Sequence, residues 1–300
     1  MAEASIPVDL RNPGQVFACL GLMEATEILT GPCEGRFAYT ESKTDGRFEL
    51  VASGVGNPAE TVVQFLARCH VVALVPDGMH SPKDIWKVQA EPLQRPLSPV
   101  AGRRSQAADE NSSATLPARL RDGRAEVPIE YWIDTRPIGV DNVKFWGGSQ
   151  GKPGAAIAAE LIAAITKLVK SEPELVLERP FDRWSAMSGS FRLDWRRDYT
   201  AIDAGFSLNK HKANVIAVGY PFVELLAAVG LQHARPVRQT PRDSLNYRYH
   251  VPNALLPTVL MRVAIATREL GFPNRSFRMR LNWANQKGQA RCIINVEEES

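Results

Sequence analysis

The sequence is short of the groups from which catalytic and metal sites are built. Its 300 residues include five histidines and four cysteines. His70, His80, His211, His233 and His250 show neither HExxH nor HxxxH spacing, so a zinc-protease type of centre is not expected. Cys19, Cys33, Cys69 and Cys292 are scattered without a CxxC pair. In a chain of this length that spacing suggests free thiols in a reducing compartment, not a disulfide scaffold or a zinc site. No GxSxG elbow occurs, which removes the usual sign of a serine hydrolase. Apart from Glu297, Glu298 and Glu299 there is no close set of carboxylates. No apolar run reaches the ~18 residues of a membrane span. The first ten residues lack the basic-then-apolar pattern of a secretory signal. These absences lead to the expectation of a cytoplasmic binding protein, not an enzyme, with no cofactor, metal or membrane partner.

What is present is ordinary in amount and uneven in distribution. Hydrophobic residues make up 44% of the chain and charged residues 23%, enough for a sizeable core with a normal soluble surface. The net charge is +3. Residues 1–150 carry 15 Lys and Arg against 19 Asp and Glu, whereas residues 151–300 carry 21 against 14. The bias peaks over residues 235–291, with eleven basic residues, ten of them arginine, against Asp243 and Glu269. Guanidinium forks match phosphates and stack on bases. A basic half on a near-neutral chain therefore points to a polyanion. A solvated face balanced by the acidic half is the plainer alternative.

Apolar spacing predicts a strand over 6–10, a helix over 15–29, a strand pair over 36–40 and 47–51, a helix over 57–68 and a strand over 71–75. Asn12 and Asn57, each followed by proline, are the expected helix starts. The order is β-α-β-β-α-β, the ferredoxin-like pattern. The fold class expected is α+β, with a ferredoxin-like N-terminal part over 1–90 and a second, basic, mixed α/β part over 127–300. Between them, residues 91–126 are rich in Pro, Ser, Arg and Ala and are expected to form a flexible loop or linker. Later segments predict a strand from 127, a helix over 221–229, a strand over 245–251, a helix over 255–270 capped by Gly271, and a final strand pair over 276–281 and 289–296. Glu297 to Glu299 are expected to be a frayed acidic end.

Residues 144–170 join an aromatic pair, a glycine-rich turn and an amphipathic helix. Ile157, Leu161, Ile165 and Leu168 lie at spacings of four, four and three, one stripe along a helix. Its start has bare glycines and Lys152 beside it, so Trp146, Gly147, Gly148, Ser149, Gln150 and Lys152 form a candidate anion site. A P-loop is excluded, because Trp146 stands at the first glycine place and Pro153 at the Ser/Thr place. Two alternatives remain open here. One is a tight turn feeding a close-packed helix. The other is an enzyme or binder of a phosphorylated small molecule, with Lys152 on the phosphate and His211 as general base.

Over 178–199, Phe181, Trp184, Phe191, Trp195 and Tyr199 are interleaved with arginines. Aromatics can stack on bases while cations hold phosphates. A strand pair with aromatics inward fits equally, since Phe191, Leu193 and Trp195 alternate. The candidates for nucleic-acid contact here are Arg192, Arg196 and Arg197. Asn209, Lys210 and Lys212 add a small basic cluster, and Arg238, Arg242 and Arg248 represent the arginine-rich segment.

Three phrases in order, PVDLRNPGQVFACLGLMEATEIL, VKFWGGSQGKPGAAIAAEL and DAGFSLNKHKANVIAVGYPFVELLAAVGLQHARP, resemble the compact large subunits of the subtype I-U (I-G) CRISPR Cascade-type complex. The resemblance spans both halves and omits 92–124. It implies a subunit that contacts guide RNA and target DNA and helps recognise the target-adjacent motif. Its expected neighbours are backbone and repeat-processing subunits and a helicase-nuclease. In such complexes base pairing reads the target while protein reads backbone, shape and the adjacent motif.

Overall fold

A computed structural model describes residues 2–40, 42–54, 56–75, 87–93, 116–130, 143–144, 147–148, 154–187, 189–198, 218–240, 243, 245–267, 270–283 and 291–299. The chain begins with β1 (Ala2–Asp9), α1 (Pro13–Thr30), β2 (Cys33–Ala38), β3 (Asp45–Ala52), α2 (Pro58–Arg68) and β4 (His70–Val75). Both helices start as their Asn-Pro pairs predict. Asn12 Oδ1 accepts from the Gln15 N–H at 3.4 Å, and Asn57 Oδ1 from those of Ala59 and Glu60 at 2.9 and 3.2 Å. Proline occupies the first turn of each, where its missing donor is not needed.

β3 pairs antiparallel with β1 on one side and β2 on the other. A ferredoxin-like unit would then place β4 beside β1. Instead β4 joins a second sheet, between β5 (Gln89–Pro92) and β6 (Ala118–Arg121), with β7 (Glu126–Ile129) beyond β6. Burial explains the choice. Val71, Val72 and Ala73 are all buried, so both faces of β4 are covered, as befits a central strand. β1 exposes Glu3 and Ser5, which suits an edge. Part of the stretch expected to be a loop is also sheet. Leu116, Ala118 and Leu120 are buried, and β6 pairs with β4 from Ala118 to Arg121. Residues 94–115 lie outside the described residues.

Next come β8 (Val143–Lys144) and β9 (Gly147–Gly148), a minimal antiparallel pair, then α3 (Gly154–Ser171) and α4 (Pro173–Glu178). β10 (Ser185–Ala186) pairs with β11 (Val218–Gly219). Between them α5 (Trp195–Asp198) stands where alternation suggested a strand. Then follow α6 (Pro221–Leu231), β12 (Val237–Arg238), β13 (Asn246–Pro252), β14 (Leu256–Pro257), α7 (Thr258–Ala266), β15 (Asn274–Trp283) and β16 (Arg291–Glu299). α7 is shorter than the 255–270 helix expected. Leu256 and Pro257 pair with β2 before it starts, and Thr267 is already extended at φ −140° and ψ 147°.

The centre of the molecule is the crossing of α1 and α6. α1 is buried from Pro13 to Thr26 and α6 along its whole length. They approach until backbone meets backbone. A Cβ on Gly21 would lie 1.8 Å from the Leu226 carbonyl oxygen, and one on Gly230 would lie 2.2 Å from that of Phe17. Only glycine permits this approach. α1 also packs on β1, β2 and β3, whereas α6 touches α3 and β7. Core packing is thus continuous across the boundaries expected near 90 and 126.

β12, β13, β15 and β16 form a third sheet in that order. Its inner face carries Tyr247, Tyr249, Val251, Phe277, Met279 and Val296, all buried. Tyr249 stacks on Phe277 at 5.4 Å between ring centroids and donates its hydroxyl to the Leu10 carbonyl at 2.8 Å. Arg11 donates to the Val296 carbonyl at 2.9 Å and Tyr39 to that of Val251 at 2.9 Å. The end expected to fray is therefore a strand, because Glu297, Glu298 and Glu299 face Arg278, Phe277 and Ser276 in register.

Candidate nucleic-acid interface

The third sheet turns its other face outward, and strand register sets what that face carries. Residues alternate between faces along a strand. With Tyr247, Tyr249 and Val251 inward, Asn246, Arg248 and His250 point outward from β13. In register, Arg248 lies opposite Arg278, Arg278 opposite Glu297, and Arg280 between Asn246 and Asn295. The outward rows thus bring Arg248, Arg278 and Arg280 together with Glu297 and Glu299. Arg280 is exposed.

The carboxylates partly neutralise this face. Glu297 bonds the Arg278 guanidinium, and this hydrogen bond raises the pKa of Arg278 and lowers that of Glu297. Glu299 accepts from Arg248, with one bond at 3.1 Å. Both pairs are partly exposed, the arginines at 39% and 40%. Solvent screens such exposed pairs, so they hold weakly and leave the guanidinium groups open to an incoming phosphate. Beside the pairs runs an open groove of about 590 Å³, walled by Val237, Thr267 and the glutamates, with His250 and Ser276 among its lining. Nδ1 of His250 and Oγ of Ser276 lie 2.9 Å apart, and both residues are buried.

Arg275 belongs to the other side. Its guanidinium forks onto Glu298, with one bond at 2.6 Å, and lies 5.5 Å from the ring centroids of Tyr39 and Phe277. It fastens the sheet to the N-terminal unit.

Among the sequence candidates, the structure brings Arg238 and Arg248 onto this sheet, Arg238 on the short strand β12. Arg196 is used internally. It forks onto Asp194 at 2.6–3.2 Å, donates to Asp182 at 3.2 Å and to the Phe181 carbonyl at 2.7 Å, and lies over the Tyr220 ring at 3.6 Å. Burial opposes its charge, yet its bonds to Asp194 hold its pKa above the ordinary value. Arg192 sits in the left-handed region, at φ +62°, in the loop before α5. The Glu224 carboxylate pins that loop by accepting from the N–H groups of Phe191, Leu193 and Asp194 at 2.7, 3.2 and 3.0 Å. Asp194 also accepts from Asn12 Nδ2 at 3.1 Å, tying the loop to the start of α1. Arg197 lies in α5. Gly147 and Gly148 form β9. Trp146, Ser149, Gln150, Lys152, Asn209, Lys210, Lys212 and Arg242 lie outside the described residues, as does His211.

No family model, characterised protein or solved structure matches this chain.

Arg278 and Arg280 were not singled out by the sequence reading. Their signal was alternation, since each stands between buried apolar residues in Phe277-Arg278-Met279-Arg280-Leu281. The cysteines offer little nucleophilicity. Burial pushes the thiol of Cys33 up to about 11, that of Cys69 to about 12 and that of Cys19 well above its usual value. Among the described residues, no group of three or more His, Cys, Asp or Glu could hold a metal ion. No helix among them is long and apolar enough to cross a membrane. What the outward sheet face can do is hold an anionic backbone by guanidinium groups.

Proposed function

We propose that the chain is a non-catalytic nucleic-acid-binding subunit of a cytoplasmic type I CRISPR surveillance complex. In this role it contacts guide RNA and target DNA beside the other effector subunits and helps recognise the target-adjacent motif. The observation that carries the proposal is the ordered set of three phrases, over 7–29, 143–161 and 203–236, that resembles compact large subunits of that complex. The outward rows of Arg248, Arg278 and Arg280 support it, because guanidinium groups two residues apart on a strand suit a phosphate backbone. The β1-to-β4 segment keeps the β-α-β-β-α-β order of a ferredoxin-like unit, with its last strand in a second sheet.

Fluorescence anisotropy of the full chain with labelled single-stranded RNA and duplex DNA tests this. Binding is expected to weaken steeply as salt rises. Arg280→Ala with Arg278→Ala is expected to weaken it about tenfold through the loss of two phosphate contacts. Glu297→Gln with Glu299→Gln is expected to strengthen it severalfold. Absent or salt-insensitive binding overturns the proposal.

A further inference from the structure

A second surface has the opposite character. On α7, Val259, Leu260 and Val263 are 60%, 41% and 43% exposed, and Leu255 just before the helix is 47% exposed. Thr258, Met261, Ala264 and Ile265 of the same helix are buried. The outward side of a two-turn helix is thus as apolar as its inward side. Isolated exposed aliphatics are common on protein surfaces, but four within nine residues form a patch.

Among the described residues, the carboxylates around this patch include some without a cation partner, while its cations Arg262 and Arg36 are paired with Glu24 and Glu49. Glu24 of α1 holds Arg262 of α7 by two bonds at 2.6 and 2.5 Å, which uses that cation internally. Glu27 is exposed and acts on Arg262 through space. Glu34 of β2 is exposed and stands opposite Pro257 in register, at the start of α7. His233 approaches Glu24 at 3.9 Å, but burial lowers its pKa, so it adds no positive charge at neutral pH. Ile28, 45% exposed, follows Glu24 by one turn on the same side of α1.

These features decide between occupants. Among the described residues a nucleic acid meets carboxylates here, and the nearby cations Arg262 and Arg36 are already paired with Glu24 and Glu49. A second copy docked by a twofold axis sets the same patch against itself, bringing Glu27 and Glu34 near their own equivalents. A partner of opposite margin charge gains on both counts. The helix is too short to supply the ~800 Å² per partner of a standard interface, but it suits one amphipathic element laid along it. We infer that the outward face of α7 docks an amphipathic segment of another protein, apolar on one side and bearing lysine or arginine at its margins. This holds whether or not the arginine face binds nucleic acid.

Two synthetic helical peptides of about 18 residues, sharing one leucine stripe, test it against the full chain. One carries lysine on its polar side and the other glutamate. The lysine peptide is expected to bind at least about tenfold more tightly. Val259→Ser with Val263→Ser is expected to abolish that difference without moving the unfolding midpoint, and Leu260→Ser alone is expected to reduce it. Val218→Ser, at another exposed aliphatic on β11, is expected to leave it unchanged. Should the double variant fold poorly, Leu260→Ser carries the test. Equal binding of the two peptides overturns the inference, as does binding that ignores all α7 substitutions. Concentration-dependent self-association in sedimentation that Val259→Ser abolishes also overturns it and assigns the face to a second copy.

Discussion

Replacing Gly21 with alanine puts a methyl carbon where the α6 backbone already stands. The new Cβ would lie 1.8 Å from the Leu226 carbonyl oxygen, 2.7 Å from its carbon and 3.0 Å from the Gly230 nitrogen. Carbon and oxygen rest about 3.3–3.6 Å apart, so the helices must part by roughly 1.5 Å. The obstacle is main chain, and no rotamer relieves it. Overpacking that side chains absorb costs about 1–3 kcal/mol. A main-chain collision between two buried helices belongs at the top of that range or just above it, at about 3–4 kcal/mol. Alanine returns about 1 kcal/mol of helix propensity. The net loss expected is therefore about 2–3 kcal/mol, which lowers the thermal midpoint of a 300-residue chain by roughly 3–5 °C. Urea and thermal unfolding followed by circular dichroism measure both quantities. Gly230→Ala is expected to lose a similar amount, its Cβ lying 2.2 Å from the Phe17 oxygen. The double variant is expected to lose less than the sum, because one separation makes room for both methyl groups. A Gly21→Ala protein as stable as the parent, or strictly additive losses, would refute a shared close crossing.

Arg196→Ala strips the fork from Asp194, whose side chain is fully buried, and is expected to cost about 3–5 kcal/mol in chemical denaturation; a loss under 1 kcal/mol would count against the buried pair. The hydrogen bond from Arg275 holds the Glu298 carboxyl below its ordinary pKa, with burial opposing. Its folded value is thus lower than its unfolded one, so its contribution is complete above the unfolded pKa and is lost as pH falls through the folded one. Glu298→Gln is expected to flatten the stability profile between about pH 5 and pH 3, read as urea midpoints across that range. With the thiols of Cys33 and Cys69 raised to about 11 and 12 by burial, a disulfide reagent at pH 8 is expected to label the folded chain slowly and all four cysteines once it is unfolded. Rapid labelling of the native protein contradicts that burial.

Local signals carried the N-terminal half well. Asn12-Pro13 and Asn57-Pro58 open helices because a side-chain oxygen and a proline act within one turn, and apolar spacing locates the strands between them. Non-local partners are where the sequence misled. The consecutive apolar residues of β4 announce a buried strand but not its neighbours, which come from residues 89–92 and 118–121. Phe191, Leu193 and Trp195 alternate like a strand, yet the N–H groups of 191 and 193 are met by a carboxylate 33 and 31 residues away. Glu297 to Glu299 look like a tail until Arg278 and Arg275 of β15 and Arg248 of β13 take them as partners. On the candidate interface, alternation along β13 and β15 was legible and would have found Arg278 and Arg280. The glutamate partner of Arg278 was not, because cross-strand pairing leaves no mark in either strand alone.

The crossing of α1 and α6 also governs how the chain comes to be folded. α1 ends at Thr30 and α6 begins at Pro221, so about 190 residues must be made before the two can meet. At the ~5–20 residues per second of translation, the apolar surface of α1 waits roughly 10–40 s on the ribosome for its partner. Long-range closure of this kind is slow and leaves sticky intermediates. The N-terminal strands and helices therefore assemble around an unfilled centre. Until Gly230 arrives against Phe17, the apolar surface of α1 stays open to wrong partners.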